Sequence, residues 1–313
     1  MLSFIFRRLV AGIFLVFAVS VVAFFLLYAG GGDIARRILG QNATEETVAL
    51  KAQQLGLDQP LITQFWNWIS HAVTGDFGVS WFSSQPVTTS LSSRLVVTLT
   101  LVIGTTIVAA IVSVILGVLA ARRGGWIDAV VQFVAVIGFA IPGFLIALYL
   151  VLWFAVGLGW FKATGFIPIT TSFTGWLSSI TLPIAALSLS AIAAVAQQIR
   201  GSVSDALSRD YVRTLRARGL GMNRVVYRHV LRNAGGPALA VLAVQFVGLL
   251  GGAVVIEQVF ALPGIGQLTV SATSSGDIPV VMGVVVATAI IVVIVNLLID
   301  LAQAALNPKV RLS

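Results

Sequence analysis

The sequence predicts an all-α, polytopic membrane protein with six transmembrane helices. Of its 313 residues 58% are hydrophobic and 10% are charged, where a water-soluble domain carries roughly 25% charged residues. Mean hydropathy is +1.02. The charges are also unevenly spread, leaving several long apolar stretches without one, and these runs lack the dyad alternation that a membrane β-barrel needs.

Taken in order, the charge-free runs predict spans at Leu9–Tyr28, Leu95–Ala121, Ala129–Val156, Ile180–Ile199, Pro237–Ile256 and Val280–Leu306. Each supplies the roughly 20 residues that cross about 30 Å of hydrocarbon at 1.5 Å per residue. Arg7 and Arg8 before the first run have the look of a secretory signal. The run is longer than a signal's apolar core of about 7 to 15 residues, and no A-x-A site follows, so it reads as an uncleaved span.

Lys and Arg set the orientation. With the N-terminus inside, the inner side holds fourteen of them: Arg7, Arg8, Arg122, Arg123, Arg200, Arg209, Arg213, Arg216, Arg218, Arg224, Arg228, Arg232, Lys309 and Arg311. The outer side holds five: Arg36, Arg37, Lys51, Arg94 and Lys162. Both termini are therefore expected in the cytoplasm, with Gln41, Ser83 and Ser275 outside and Gly125, Gly201 and Arg311 inside. The chain divides into an N-terminus with the first span (1–29), an extracytoplasmic loop with short helices (30–94), a five-helix core (95–306) and a C-terminal tail (307–313). The net charge of +8 fits basic inner loops and gives no reason to invoke nucleic acid.

In the outer loop, Asn42 with Glu45 forms a capping-box pattern for a helix that stops at Gly56. A second helix starts near Pro60, with Ile62, Phe65, Trp66, Ile69 and Val73 at helical spacing, an apolar face for the membrane, a partner or the protein's own loops. The inner segment 200–236, with eight Arg and two Asp, parses as helix, glycine turn, helix. Asp210 lies in its first turn, Gly219 and Gly221 are left-handed C-cap candidates, and Asn223 is an N-cap candidate. Composition alone would let these arginines simply hold topology and touch anionic lipid.

Catalytic chemistry is not legible. His71 and His229 fall on opposite sides of the membrane, and there is no H-E-x-x-H, G-x-S-x-G or Walker A pattern, nor any Cys. Intramembrane polar residues are sparse: Gln132, Gln197, Gln198, Gln245, Asn296, Asp300 and, at an outer helix end, Glu257. Pro142 and Pro183 free backbone carbonyls within spans, while Gly138, Gly143, Gly248, Gly251 and Gly252 let helices approach, Gly248 and Gly252 forming a G-x-x-x-G. The candidate pathway or gating residues are Pro142, Gly143, Pro183, Gln245, Glu257 and Asn296. A solute passage without its own energy source follows.

Three ordered stretches carry a family resemblance. LGLDQPLITQFWNWI from Leu55, with GDFGVSW from Gly75 and then Gln85, Pro86 and Val87, is one; ARGLGMNRVVYRHVLRNA from Ala217 is the second; GGAVVIEQVFALPGIGQL from Gly251 is the third. Together they resemble the permease subunits of bacterial ABC importers of the dipeptide, oligopeptide and nickel class. The second stretch is similar to that class's version of the E-A-A-x-x-x-G coupling motif, although Arg213, Thr214 and Leu215 stand where Glu, Ala and Ala are usual. Arg232 replaces the general motif's Pro, in a Leu-Arg-Asn that the peptide class shares, and Gly30 to Asp33 lacks the usual Pro-Gly-Asp.

The resemblance implies a type I ABC importer permease fold in the bacterial cytoplasmic membrane. It also implies that Arg213, Thr214, Leu215, Arg216, Ala217, Arg218, Gly219, Leu220, Met222 and Arg224 couple to a cytoplasmic ATPase, with Leu215, Leu220 and Met222 as an apolar knob. The implied partners are two ABC ATPase subunits that carry ATP and Mg, a second homologous permease making a heterodimer, an extracytoplasmic substrate-binding protein and membrane lipid. The chain itself would hold no cofactor and catalyse nothing. Di- or oligopeptides are the expected cargo, with nickel or another small solute on the same machinery as the alternative. An ion-coupled transporter or channel acting alone is the reading from another class.

Overall fold

The computed structural model describes residues 2–29, 34–40 and 42–306. Gly30–Asp33, Gln41, Lys309 and Arg311 lie outside them. Among the described residues the regular structure is helical, apart from one isolated bridge between Val79 and Pro86. Among the described residues five helices are long and apolar enough to cross a membrane, or six when the bent pair of Gly125–Ala140 and Gly143–Gly157 is counted as one span.

The helices are α1 Leu2–Ala29, α2 Ile34–Leu39, α3 Glu45–Gln54, α4 Leu61–Ala72, α5 Val87–Arg123, α6 Gly125–Ala140, α7 Gly143–Leu150, α8 Phe173–Leu207, α9 Asp210–Ala217, α10 Met222–Val225, α11 Leu231–Val259, α12 Ile265–Ser275 and α13 Ile278–Leu306. α7 runs on as a π-helical turn over Val151–Gly157, and a second π turn, Val226–Val230, joins α10 to α11. The chain forms two compact units. One takes Ile5–Val97 and Pro263–Val293; the other takes Thr98–Leu262 with residues from the two chain ends.

In the first unit, α4 resolves the question its amphipathic pattern raised. Phe65 is buried and meets Phe24 of α1 edge-on at 5.2 Å, while Phe24 stacks on Tyr28 at 4.0 Å. Trp68 and Ile69 pack on the same cluster. Ile62, Trp66 and Val73 of that face stay exposed, so the protein itself packs only its Phe65 and Ile69. The helix before it is capped by Thr44, whose hydroxyl accepts from the Thr47 N–H, in place of the expected Asn42. Thr44 lies directly before the first helical residue, where its oxygen reaches the orphan donors, and Glu45 instead pairs with Arg36.

Asp277 was not singled out in the sequence, yet it holds the GDFGVSW stretch. It is buried, accepts a hydrogen bond from Ser80 Oγ at 2.5 Å and another from the Trp81 N–H at 3.2 Å. A buried carboxylate needs such partners. Gly276, at φ 80°, is the left-handed cap that ends α12 and delivers Asp277 to this position.

In the second unit, α8 is the most enclosed span, and α6, α7 and α11 pack on it. Close approach is set by small residues. A Cβ on Gly117 of α5 would lie 2.8 Å from the Ile199 side chain and 2.9 Å from the Ala196 carbonyl, and one on Gly138 of α6 would lie 3.2 Å from Ala193 Cβ. The G-x-x-x-G of α11 does not work this way: nothing lies within 4 Å of a Cβ at Gly248, and Gly252 meets only Leu187.

Several span boundaries move. α5 begins at Val87, so Arg94 is inside it, and α11 runs past Ile256 to Val259, which puts Glu257 inside a helix. The expected span over Ala129–Val156 is broken, α6 and α7 meeting at 96°. Pro142 causes this, because it has no N–H to continue the helix and disfavours helical backbone at Ile141, which is extended.

Candidate coupling hairpin and membrane cavity

The hairpin is built from residues whose local chemistry allows little else. α9 carries Asp210 in its first turn and Arg216 in its last, each complementing the helix dipole. Gly219 then takes φ 82°, with its N–H on the Arg216 carbonyl, and the Leu220 N–H reaches back to the Leu215 carbonyl. This is a Schellman-type ending, which a Cβ would oppose. Gly221 has φ −61° and starts α10 as its N-cap, so only Gly219 is left-handed. Asn223 is not the cap: its Oδ1 accepts from Arg122 Nη2 at 2.7 Å, tying the hairpin to the end of α5.

Val212, Val225, Val226 and Val230 are buried against Val203 and Ile199 of α8, and Leu215, Leu220 and Met222 pack on that cluster. The expected apolar knob therefore faces the protein's own core. Of the coupling candidates, Arg213, Thr214, Arg216, Ala217, Arg218, Gly219 and Arg224 are exposed. Arg213 touches Asp210 at 3.5 Å, both side chains being exposed, a contact worth little. Among the described residues, Arg216, Arg218 and Arg224 meet no carboxylate. The surface is a cluster of uncompensated guanidinium groups on a short, braced loop, suited to an acidic partner.

Arg200, by contrast, is neutralised within the protein. It makes a two-pronged pair with Asp128 at the start of α6, Nη2 to Oδ2 at 2.6 Å, and Gln132 adds a bond to the same carboxylate at 3.0 Å. The partners are 72 residues apart, and no sequence pattern joins them.

The pathway candidates divide. The bend at Pro142 leaves Gly143 at the edge of a cavity of about 340 Å³. Its wall also holds Phe144, Ser190, Gln245, Gly248 and Gly252. Gln245 stands at the middle of α11, the depth at which an intramembrane polar side chain is a candidate for solute contact. Pro183 is buried within α8, one turn before the wall residues Ala186 and Leu187. Glu257 is fully buried and accepts from Thr98 Oγ1 at 2.5 Å, so it braces α11 on α5 and is not part of this cavity wall. Asn296 is exposed on α13 and also lies off the wall.

A solved structure titled "Inward facing conformations of the MetNI methionine ABC transporter" shares this fold, with TM-score 0.53 and 16% identity, over 69% of this chain and 96% of that one. Residues 113–312 match the family "Binding-protein-dependent transport system inner membrane component", and residues 1–102 match its N-terminal counterpart. The chain is 39% identical over 309 residues to a probable peptide ABC transporter permease protein of Sinorhizobium fredii, covering 98% of this chain and 99% of that one. It is likewise 39% identical over 312 residues to the glutathione transport system permease protein of Escherichia coli strain K12, with 99% of each covered. The chain belongs to the binding-protein-dependent transport system inner membrane component family, the ABC-importer permease class that its three motifs resemble, and is a multi-pass membrane protein.

Proposed function

We propose that this chain forms half of the translocation pathway of an ATP-driven importer for di- or oligopeptides. It receives cargo from an extracytoplasmic binding protein, pairs with a second, homologous permease and is driven by two cytoplasmic ATPase subunits that hold ATP and Mg. The observation that carries the reading is the hairpin: Arg216, Arg218 and Arg224, which meet no carboxylate among the described residues, on a turn held by Gly219 and a buried valine cluster, at the place of the family's coupling motif. The names of the relatives, one for peptides and one for glutathione, itself a tripeptide, support the cargo class. The cavity at Gly143 and Gln245 supplies a section of the route.

Both termini face the cytoplasm in this reading. Because the chain has no Cys, single cysteine probes carry no background. Ser83→Cys and Ser275→Cys should label with an impermeant reagent in intact cells and Gly125→Cys should not; the reverse pattern sinks the orientation.

Purified, contaminant-free chain is expected to hydrolyse no ATP, with activity appearing when the ATPase subunits are added; turnover by the lone chain would refute this. Arg216→Glu is expected to weaken assembly with the ATPase most strongly at low salt, since exposed charges are screened over about 10 Å at 0.1 M. Equal loss at all salt concentrations contradicts a steering role. Cargo is tested by mass spectrometry of what the copurified binding protein carries, where nickel without peptide would redirect the assignment.

A further inference from the structure

A second cavity, of about 370 Å³, lies between the end of α5 and the second half of the hairpin. Its walls are chemically divided. Val114, Ile115, Val118 and Leu119 form an apolar stripe on successive turns of α5, and Arg122 and Arg123 continue that stripe to the helix end, facing Asn223 and Tyr227. Ile115 is 59% exposed and Tyr227 62% exposed. Arg122 spends one donor on Asn223, out of the five a guanidinium offers. Among the described residues neither Arg122 nor Arg123 meets a carboxylate, and the nearest acid in sequence, Asp128, is taken by Arg200.

We propose that this cleft binds one anionic glycerophospholipid of the inner leaflet, a site that rests on the orientation proposed above. The phosphate sits on Arg122, Arg123 and the Tyr227 hydroxyl, and the first methylenes of an acyl chain lie along Ile115 and its neighbours. Charge complementarity selects an anion, and the apolar stripe running from the arginines into a membrane-spanning segment selects one with a hydrocarbon tail. Arg122 touches the lipid phosphate and Asn223 together, so the lipid braces the hairpin on α5. An acidic rim of the ATPase is the competing occupant of the same arginines.

The test is native mass spectrometry of the intact complex titrated with phosphatidylglycerol or phosphatidylcholine. Wild type is expected to hold phosphatidylglycerol preferentially. Arg123→Gln, which leaves the Arg122–Asn223 bond in place, should lower that occupancy about fivefold, the effect of one arginine at a lipid surface. Ile115→Ser, at an exposed position, should lower it as well. Unchanged phosphatidylglycerol binding in Arg123→Gln overturns the proposal, as does equal binding of phosphatidylcholine by wild type. Full displacement of lipid by glycerol 3-phosphate with Ile115→Ser silent would make it a phosphate site without a lipid. Loss of the ATPase with lipid binding unchanged would give the arginines to the ATPase, whereas the orientation reading fails only in the cysteine labelling.

Discussion

Gly219→Val is expected to insert and pack like wild type yet to lose coupled uptake. Gly219 sits at φ 82° with open space around its missing Cβ, so no atom would clash. The cost is in the backbone: left-handed geometry disfavours an L residue by roughly 1 to 2 kcal/mol, and more for a β-branched one. The turn relaxes by shifting Leu220 and with it the spacing of Arg218 and Arg224 on the exposed face. Val212, Val225, Val226 and Val230 keep their places beneath, and only Leu220 at the edge of their cluster moves, so detergent stability should stay near wild type. Uptake and ATPase activity of the reconstituted complex separate the possibilities: hydrolysis without transport, or loss of the ATPase on purification, supports coupling, and wild-type coupled transport removes the role assigned to Gly219.

Gly117→Val, by contrast, is expected to act on folding. A Cβ there would stand 2.9 Å from the Ala196 carbonyl of α8, a backbone atom that cannot rotate away, and 2.8 Å from Ile199. Ile199 belongs to the cluster under the hairpin, so parting α5 from α8 also disturbs the hairpin's support. Overpacking of this kind costs typically 1 to 3 kcal/mol, and a branched side chain on a closed helix contact should lie at the upper end. Lower yield and an aggregated elution profile are the expected readings. A monodisperse, wild-type level of Gly117→Val would mean that α5 and α8 do not meet closely in the membrane.

The five long spans were legible because charge is excluded from hydrocarbon, and the gaps between charges are visible along the chain. Their ends were harder to read. Arg94 marked the start of a span in the sequence, but α5 begins two turns earlier, since a long arginine at a membrane edge does not end a helix. The break at Pro142 was hidden by apolar residues on both sides. The hairpin's turn was readable because a glycine C-cap is local chemistry, whereas the direction of Leu215, Leu220 and Met222 depends on α8, far away in sequence. The Asp128–Arg200 pair, the Thr98–Glu257 bond and the Arg122–Asn223 link are long-range, and no spacing announces them. Glu257 shows the difference: a lone acid near a predicted span end read as a pathway candidate, and its burial against Thr98 makes it a brace.

The exposed arginine face of the hairpin is expected to meet an ATPase. A photo-crosslinking amino acid at Ala217, which is exposed between Arg216 and Arg218, tests it in the assembled importer with no reliance on transport. A product that joins this chain to the ATPase subunit is expected, with Tyr149, exposed on the apolar helix α7, giving none. Crosslinks from Ala217 to lipid alone, with the ATPase present and active, would contradict it.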